Sequence, residues 1–507
     1  MLIRNFFISY LFFYLVSCSV SFKSPQSALV IGFEKSYEQS LLAHTLFQQG
    51  IESTLIVTAG AHLYENLQGI EVLKLNTNDN PSADKAALNA CENLLTDENI
   101  LKRVREIQPT FVIFPALRHD ACLLPWVQFI NSIPVIATYG PEEDLYSVQR
   151  TSIALPIHTG GLWAGFWANA DSSSIIANTN NAYVTPALKL IKERLPESEI
   201  DFDKLYSKVD LILSSSDPIL RSDFAQLGQQ PVRIGCHHCR GAHPLPPALQ
   251  KELVEFRLGT VVATLDESFA PIIEELARNL PQGRQGLAIA WKNSDVKLEE
   301  EKKPENLFVH GEVDRQDLIG YARTRVLLSH CPESELLEAV FHGTPIICFP
   351  RDFYERSNEK QAIELGFASP RSDGTTSINA IVTAVELVHK STGYREVARS
   401  FSSIIRDRPL PASDSLVYWL GYVARNAERP IKPPVLRANE IRTLIGDSEL
   451  LSSFIIGIII GAILTLTAMF AWFKSKSIQK HNRKEKRCFG SLETLKAQSI
   501  LSMSEKR

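Results

Sequence analysis

Short apolar runs recur along the chain, and longer stretches with helical spacing of apolar and polar residues separate them. In the first half, the runs that predict buried strands are Ala28–Gly32, Ser53–Val57, Thr110–Phe114 and Pro134–Thr138. The first run is followed by a predicted helix, Tyr37–Gln49, which Gly50 ends because glycine readily adopts the left-handed conformation at a helix C-terminus. Continuous apolar strands that alternate with helices are typical of a parallel sheet covered on both faces.

A second series of the same kind begins near residue 260. Its predicted strands are Thr260–Thr264, Leu287–Ala290, Leu307–Val309, Val326–Ser329 and Pro345–Cys348, and its predicted helices are Phe269–Leu280, Arg315–Ala322 and Glu335–Phe341. Between the two series, prolines cluster from Pro231 to Pro247, which is typical of a linker between domains. The pattern predicts an α/β protein with an N-terminal domain at 21–230 and a C-terminal domain at 231–430.

The chain begins with a segment typical of a secretory signal peptide. Arg4 precedes an uncharged run at 5–16, and small residues follow at 17–19. We predict a signal peptide over residues 1–20. Two alternatives remain, an uncleaved anchor helix and a chain that begins at a lipid-modified Cys18, since the residues before it resemble a bacterial lipidation site.

A second apolar segment lies near the other end of the chain. Leu450–Phe473 contains no charged residue and is long enough to span a bilayer as a helix. The tail at 474–507 begins with a cluster of lysines and arginines, which predicts a cytosolic tail and a luminal or extracellular body. Residues 431–449 then form a membrane-proximal segment. Gly457 and Gly461 have the spacing of a helix dimer contact, although lipid-facing sequence is the simpler interpretation.

Composition and charge narrow the classes of function. The chain has 507 residues, of which 45% are hydrophobic and 22% are charged, and its formal net charge is −4. This composition is that of folded globular domains rather than of a disordered chain. No global positive field attracts nucleic acid, so we do not expect a nucleic-acid partner.

Six cysteines fall in the predicted luminal body. They are Cys91, Cys122, Cys236, Cys239, Cys331 and Cys348. An even number of cysteines in an oxidising compartment permits disulfides without fixing their pairing. The run Cys236-His237-His238-Cys239 also contains zinc-ligand types, but it lacks a second Cys/His pair at finger-like spacing, so zinc is the weaker interpretation.

Two doubly wound domains that face each other open the carboxyl ends of their strands onto one cleft, where sheets of this kind bind ligands. A nucleotide-sized ligand is therefore expected. The predicted helix Glu335–Phe341 offers its N-terminus to a diphosphate. The alternative is an ordinary helix start with Ser334 as its capping residue.

The stretch Leu307–Ala368 resembles the donor-binding signature of UDP-glucuronosyltransferases and their UDP-glycosyltransferase relatives. Ile234–Pro246 (IGCHHCRGAHPLP) is similar to the linker of that family, Arg406–Pro409 (RDRP) to another of its segments, and Val417–Asn426 (VYWLGYVARN) to its C-terminal crossover helix. The predicted topology also matches the animal members. The resemblance implies a GT-B type α/β fold, with two facing Rossmann-like domains plus one C-terminal transmembrane helix. It also implies the endoplasmic reticulum membrane, with the plasma membrane as the alternative.

The same resemblance implies a chemistry. The family transfers a sugar with inversion from a UDP-sugar in the C-terminal domain to a small lipophilic acceptor in the N-terminal domain, with no metal or other cofactor. Position by position, His330 lies where the family contacts the phosphates, Ser334 in its anion loop, and Glu338 on the carboxylate that holds the ribose hydroxyls. Arg315 replaces the glutamine that pairs with the base, and Glu355 falls on the glutamine that grips the sugar.

The chain departs from the family at the catalytic positions. The family's catalytic histidine, which removes the acceptor proton, falls near Lys35, and its partner aspartate falls at about Ala116 or Leu117. Position 35 is a lysine rather than a histidine, and neither Ala116 nor Leu117 is acidic. The substitute candidates for catalysis are Glu34, His119 and Asp120.

The donor loop is altered as well. The Gly-Gly that follows the anion-loop histidine of the family is Cys331-Pro332 here, and proline removes one N–H from the loop. Three hypotheses therefore stay open. They are an active membrane-bound UDP-glycosyltransferase with an atypical base, a catalytically degenerate member that acts as a binding or regulatory protein, and a receptor-like type I membrane protein.

Overall fold

Two parallel sheets form the body of the protein. The structure is a computed structural model that describes residues 26–76, 83–140, 143–144, 146–147, 180–206, 208–217, 220, 231–289, 303–309, 313–371, 377–426 and 455–477. Contacts divide the chain into one unit at Met1–Leu436 and another at Arg437–Arg507. The predicted signal peptide, the membrane-proximal segment at 431–449 and the tail beyond residue 477 lie outside the described residues.

The first sheet has the strand order β3-β2-β1-β4-β5-β6-β7, and its paired strands are all parallel. The strands are β1 Ser27–Gly32, β2 Glu52–Thr58, β3 Glu71–Leu75, β4 Phe111–Pro115, β5 Ile133–Thr138, β6 Leu211–Ser214 and β7 Val232–Arg233. The helices are α1 Ser36–Gln48, α2 Ala83–Thr96, α3 Glu98–Ile107, α4 Asp120–Phe129, α5 Thr185–Arg194 and α6 Phe202–Tyr206. In the register, Leu29 of β1 lies between Thr54 and Val112.

The second sheet has the order β10-β9-β8-β11-β12, again with parallel pairs. Its strands are β8 Gly259–Ala263, β9 Gln285–Ile289, β10 Leu307–Val309, β11 Thr324–Ser329 and β12 Ile346–Cys348. Its helices are α7 Pro247–Val254, α8 Ala270–Asn279, α9 Arg315–Ile319, α10 Glu333–His342, α11 Phe353–Leu365, α12 Ile378–Lys390 and α13 Thr392–Arg406. The chain then forms helix α14, Ala412–Asn426, which packs against the first domain.

Burial on both faces explains the continuous apolar strands. All six residues of β1 are buried, and alternate side chains of the strand enter different cores. Leu29 and Ile31 belong to one apolar cluster, whereas Ala28 and Val30 belong to another. A sheet with helices on both faces has no solvent-facing side, so its central strands show no polar alternation.

Helix α14 carries the chain back from the second domain to the first. Leu416 and Leu420 are fully buried in the cluster that also contains Leu211 and Ala137 of the first sheet. Just before this helix, the guanidinium of Arg408 donates to the carboxylate of Asp217. The two domains are therefore connected twice, by the linker before the second domain and by helix α14 after it.

The hydrophobic pattern predicted the fold correctly in both series. Each predicted strand has its counterpart in the sheets, and the α/β arrangement of two parallel sheets is confirmed. One local expectation is wrong. Helix α10 begins at Glu333, with Pro332 in the extended cap conformation and no side-chain cap, so Ser334 lies inside the first turn and does not cap the helix. Proline favours this start because its fixed φ suits the first positions of a helix.

The second unit contains one apolar helix, α15, at Ile455–Ser477. Its mean hydropathy is 2.3 over the best window, and it is long and apolar enough to cross a membrane. It overlaps the predicted span Leu450–Phe473, of which residues 450–454 lie outside the described part of the chain.

Candidate active site

Helix α1, which follows β1 in the first domain, and helix α9, which follows β10 in the second, begin at points that contact each other. In the first domain, the loop after β1 leads into α1, whose first turn contains Tyr37 and Glu38. In the second domain, the short helix α9 starts at Arg315 after the cap residue Asp314, whose carboxylate accepts from the backbone N–H of Gln316. These two helix starts meet directly.

The contact between the domains is polar and buried. The hydroxyl of Tyr37 lies 2.8 Å from Oδ1 and 2.9 Å from Oδ2 of Asp314. Nη2 of Arg240, from the linker, lies 2.8 Å from Oδ1 of the same carboxylate. Nε2 of Gln316 donates to the backbone carbonyl of His238 at 2.9 Å. Because these groups satisfy one another, they form a specific joint between the domains rather than a loose apolar contact.

Arg315 occupies the centre of this joint. It makes a two-pronged pair with Glu338 of α10, with 2.9 Å from Nε to Oε2 and 2.7 Å from Nη2 to Oε1. Its Nη2 also lies 3.2 Å from Oε1 of Glu38, and its guanidinium carbon stands 4.0 Å from the centre of the Tyr37 ring. The predicted base-pairing position is thus a cation that joins both domains.

Glu338 is fully buried, and Arg315 engages both of its carboxylate oxygens. Burial raises the pKa of Glu338, and the charge of Arg315 opposes that rise. Burial also acts to raise the pKa of Glu38, but the charges of Arg315, Lys35 and His238 outweigh it and hold the value at about 2. Arg315 therefore occupies both oxygens of the carboxylate that the resemblance assigns to the ribose hydroxyls.

His330 lies at the end of β11 with both ring nitrogens engaged. Nδ1 lies 2.8 Å from the carbonyl of Phe349, and Nε2 accepts the backbone N–H of Asp266 at 3.2 Å. Oδ2 of Asp266 is 3.0 Å from the same Nε2. Ser334 is buried, and its carbonyl oxygen lies 3.2 Å from Nε2 of His238. An acidic side chain therefore stands where the resemblance expects a phosphate.

The loop between β11 and α10 retains few free donors. The N–H of Cys331 donates to the hydroxyl of Ser329 at 2.8 Å, and Pro332 has no N–H. Cys331 adopts a left-handed φ of 64° and is joined by a disulfide to Cys348. Glu333 and Glu335 lie in the first turn of α10 and are buried. Acidic side chains at a helix N-terminus satisfy its dipole and compete with an anionic ligand.

Glu355 is also held by an arginine. Nη2 of Arg351 lies 2.6 Å from Oε1 of Glu355, and the backbone N–H of Arg351 donates to Oε2 at 2.7 Å. Nη1 of the same arginine lies 3.4 Å from Oδ2 of Asp266. The predicted sugar-gripping carboxylate therefore sits in an ion-pair network with the residue that contacts His330.

Two of the three candidate catalytic residues come together at the edge of the first sheet. Oε2 of Glu34, in the loop after β1, lies 3.8 Å from Nε2 of His119, in the loop after β4. Arg118 lies 3.0 Å from Oε1 of Glu34. Burial lowers the pKa of His119, and the charge of Glu34 partly offsets this effect.

The three candidate catalytic residues differ in how far their side chains are exposed to solvent. The side chain of Glu34 is 28% exposed, whereas that of His119 is 2% exposed. Asp120, in the first turn of α4, is fully buried. Of the three, Glu34 has the most exposed side chain.

Lys35 stands where the family places its catalytic histidine. Its Nζ lies 3.9 Å from Oε1 of Glu143, which is buried. Burial raises the pKa of Glu143 to about 7, although Lys35 acts in the opposite direction. No sequence pattern indicated the contacts that Tyr37, Glu38 and His238 make between the domains, or the approach of Glu143 to Lys35, because the partners are distant in the chain. The only available signal for Tyr37 and Glu38 was their place at the start of the first helix.

Three disulfides are formed in the described part of the chain. They join Cys91 to Cys122, Cys236 to Cys239, and Cys331 to Cys348. Cys236, Cys239 and His238 are also the residues that could hold a metal ion, since one ligand atom from each lies within 4.8 Å of the others.

Comparison with known proteins places this geometry in a family. Residues 17–434 match the profile described as UDP-glucoronosyl and UDP-glucosyl transferase. Over 205 residues the chain is 26% identical to UDP-glucuronosyltransferase 2B1 of Rattus norvegicus, which covers 38% of this chain and 37% of that protein. It is 28% identical over 204 residues to UDP-glucosyltransferase 2 of Dactylopius coccus, with 38% of each covered. These matches span less than half the length of the relatives.

Solved structures agree on the fold. A UDP-glucosyltransferase from Polygonum tinctorium that glucosylates indoxyl superimposes with a TM-score of 0.54 at 15% identity, over 80% of this chain and 99% of that one. Os79 from O. sativa gives a TM-score of 0.55 at 13% identity, over 78% and 99%. The two parallel sheets are therefore those of a GT-B glycosyltransferase fold. Together with the match over 17–434, they show that this chain belongs to the UDP-glucuronosyl and UDP-glucosyl transferase family.

Proposed function

We propose that this protein is a membrane-bound UDP-glycosyltransferase that transfers a sugar, with inversion, from a UDP-sugar to a small lipophilic acceptor. The observation that carries the proposal is the proximity of Glu34 and His119 at the ends of β1 and β4, with Oε2 of Glu34 at 3.8 Å from Nε2 of His119. The resemblance places a histidine after the first strand and an aspartate after the later one. Here the carboxylate of Glu34 follows β1 and the imidazole of His119 follows β4, so the acidic residue and the histidine occupy each other's loops.

In this mechanism Glu34 takes the proton of the acceptor hydroxyl. The acceptor oxygen forms a bond to the anomeric carbon, the bond from that carbon to the diphosphate breaks, and UDP leaves with the electron pair. Arg118 is a positioning residue that donates to the carboxylate at 3.0 Å, and the ring of His119 lies beside the carboxylate, with Nε2 at 3.8 Å. A carboxylate is in general a weaker base than an imidazole, so we expect slower turnover than with a histidine base.

On the donor side, His330, Ser334, Glu338, Arg315 and Glu355 remain the proposed contacts. The ribose would bind Glu338 after Arg315 has moved from it, and Arg315 is then free to meet the base, the role that glutamine has at this position in the family. We expect no metal and no further cofactor.

The direct test is transfer by the purified full-length chain in detergent. UDP-glucose and UDP-glucuronate are offered in turn with a panel of phenolic and alcoholic acceptors, and the product's anomeric configuration is determined by NMR. Transfer with inverted configuration supports the proposal. Absence of transfer with both donors, from a protein that binds UDP, would contradict it.

A second candidate function is favoured by the Arg315–Glu338 pair. Glu338 is fully buried and the Arg315 side chain is only 14% exposed, so loss of either partner is costly because the remaining charge is left without compensation. If Arg315 never moves away from Glu338, the donor cannot bind there, and the protein is a catalytically degenerate member that serves as a binding or regulatory partner. Failure to bind UDP in the assay above would favour this candidate.

The proposed location is the endoplasmic reticulum membrane, as a single-pass protein with a luminal body. We expect proteases added to sealed microsomes to remove residues 474–507 and to spare the body, because α15 is followed by a basic tail that favours the cytosolic side. Immunoblots against each end provide the readout, with detergent-opened microsomes as the control. A protected tail together with a digested body would reverse the topology.

A further inference from the structure

The linker segment Cys236-His237-His238-Cys239 has a geometry that neither sugar transfer nor partner binding requires. Its two cysteines are three residues apart and form a disulfide. Both are partly exposed, whereas the four cysteines of the other two described disulfides are at most 1% exposed. A reductant in solution therefore reaches Cys236–Cys239 first.

The size of the disulfide loop favours the same order of reduction. A disulfide stabilises the folded state partly by restricting the unfolded chain, and this effect grows with the number of residues enclosed. Cys236–Cys239 has a sequence separation of 3, compared with 17 and 31 for the other two. It contributes the smallest restriction of the three, so the fold depends on it least.

A third ligand lies beside the two sulfurs. The ring of His238 approaches Sγ of Cys236, with 3.6 Å to Nδ1 and 3.4 Å to Nε2. In a tetrahedral zinc site with bonds of about 2.3 Å to sulfur and about 2.0 Å to nitrogen, the sulfur and nitrogen ligands are about 3.5 Å apart. The sulfur-to-nitrogen distance needed for metal binding is thus already present in the disulfide form.

The backbone fixes the state of the imidazole. Nε2 of His238 lies 3.2 Å from the carbonyl oxygen of Ser334, which can only accept a hydrogen bond. The proton is therefore placed on Nε2, which leaves Nδ1, 3.6 Å from Sγ of Cys236, as the unprotonated ring nitrogen that can bind a metal. Histidine ligands in metal sites commonly make this kind of hydrogen bond to a backbone carbonyl.

We propose that Cys236, Cys239 and His238 form a redox-gated site for a soft divalent cation of the zinc class. A thiol or phosphine reductant supplies two electrons, two protons enter, and the disulfide becomes two thiols. The metal then binds both sulfurs and Nδ1 of His238, the two thiol protons are released, and water completes the tetrahedron. The oxidised protein has no site, because disulfide sulfurs are poor zinc ligands.

The test uses cobalt(II) as a spectroscopic substitute for zinc on the full-length protein in detergent. After mild reduction by a phosphine, alkylation and mass spectrometry should find only Cys236 and Cys239 newly reactive. Cobalt should then produce a thiolate charge-transfer band that saturates at one metal per chain, and zinc should abolish the band. The oxidised protein should give no such band.

Matched variants assign the ligands. Cys236→Ser and His238→Phe should each abolish the one-to-one band, whereas His237→Phe should keep it, since His237 is the adjacent buried histidine outside the three-ligand group. Circular dichroism checks the fold of each variant, and Cys236→Ser decides the matter if His238→Phe does not fold. A reduced wild type without the band, an oxidised wild type with it, or a band that persists in Cys236→Ser would each overturn the proposal.

Discussion

Replacing Arg315 by glutamine is expected to raise the affinity for UDP about ten- to a hundredfold. In the wild type, Arg315 binds both oxygens of the buried carboxylate of Glu338, the group proposed to hold the ribose hydroxyls. A hydrogen bond to a charged group contributes about 1.5–3 kcal/mol, which corresponds to roughly that factor in affinity. Glutamine also restores the residue that the family uses at this position. Calorimetry with UDP on the detergent-solubilised chain measures the change.

Three further variants test whether the gain in UDP affinity comes from Glu338. Arg103→Gln removes an exposed arginine that pairs with Glu71 and Glu106 far from the joint, and it should leave the UDP affinity unchanged. Arg315→Gln combined with Glu338→Ala should lose what the single change gained, because the ribose contact is gone. Glu338→Ala alone should change the wild-type affinity little, because Arg315 already occupies both oxygens of this carboxylate in the wild type. An Arg315→Gln protein that is folded and binds UDP no better than wild type would show that Glu338 is not the ribose site.

The same substitution should weaken the contact between the domains. Glu38 and Glu338 would both lose the guanidinium that joins them across the two domains, and the remaining buried carboxyl groups would lack that shared cation. We expect a lower unfolding temperature together with the tighter UDP binding. Stability and UDP affinity change in opposite directions because a residue that holds a ligand site closed stabilises the ligand-free protein and weakens ligand binding.

The sequence predicted the sheets well because their signal is local. Continuous apolar runs such as Ala28–Gly32 and Val326–Ser329 became central strands, since only burial on both faces permits such a run. Helix α10 was predicted with its start two residues late, because Glu333 and Ser334 look like loop residues and the helix start depends on Pro332.

The site was less accessible to sequence reasoning because its contacts are distant in the chain. Tyr37 and Asp314 are 277 positions apart, and no local pattern indicates that the two helix starts meet. The resemblance identified Glu338 and Arg315 as donor positions, but it treated them separately. Their direct pairing became visible only in the structure, since it depends on an arginine where the family has a shorter, uncharged side chain.

The pairing of Glu34 with His119 illustrates the same limit. Each residue follows a predicted strand, and parallel strands bring their carboxyl ends to one edge, so their proximity was accessible in principle. Which of the two meets solvent was not accessible from the sequence. The structure buries His119 and leaves Glu34 partly exposed, because His119 packs against Phe33 and Tyr183.

Glu34→Gln is expected to lower kcat by about 10²–10⁴-fold, the usual contribution of a positioned general base, while UDP affinity stays unchanged. Glutamine keeps the shape of the side chain and an acceptor for Arg118, but it cannot take the acceptor proton. Glu52→Gln, on an exposed side chain at the start of β2, is the matched control and should retain full turnover. Glu34→Gln with wild-type kcat would exclude Glu34 as the base.

A gain of function provides the complementary test. Lys35→His with Leu117→Asp returns an imidazole and a carboxylate to the loops in which the family has them, and it should raise turnover if the donor site works. Leu117 adopts a left-handed φ of 68°, a conformation that aspartate tolerates better than leucine, so the second change should not strain the backbone. Transfer rates are compared at saturating UDP-sugar. An increase in the double variant that survives Glu34→Gln would show that the restored pair has replaced the carboxylate as the base, whereas no increase from a protein that still binds UDP would show that the loops no longer present an acceptor to the donor.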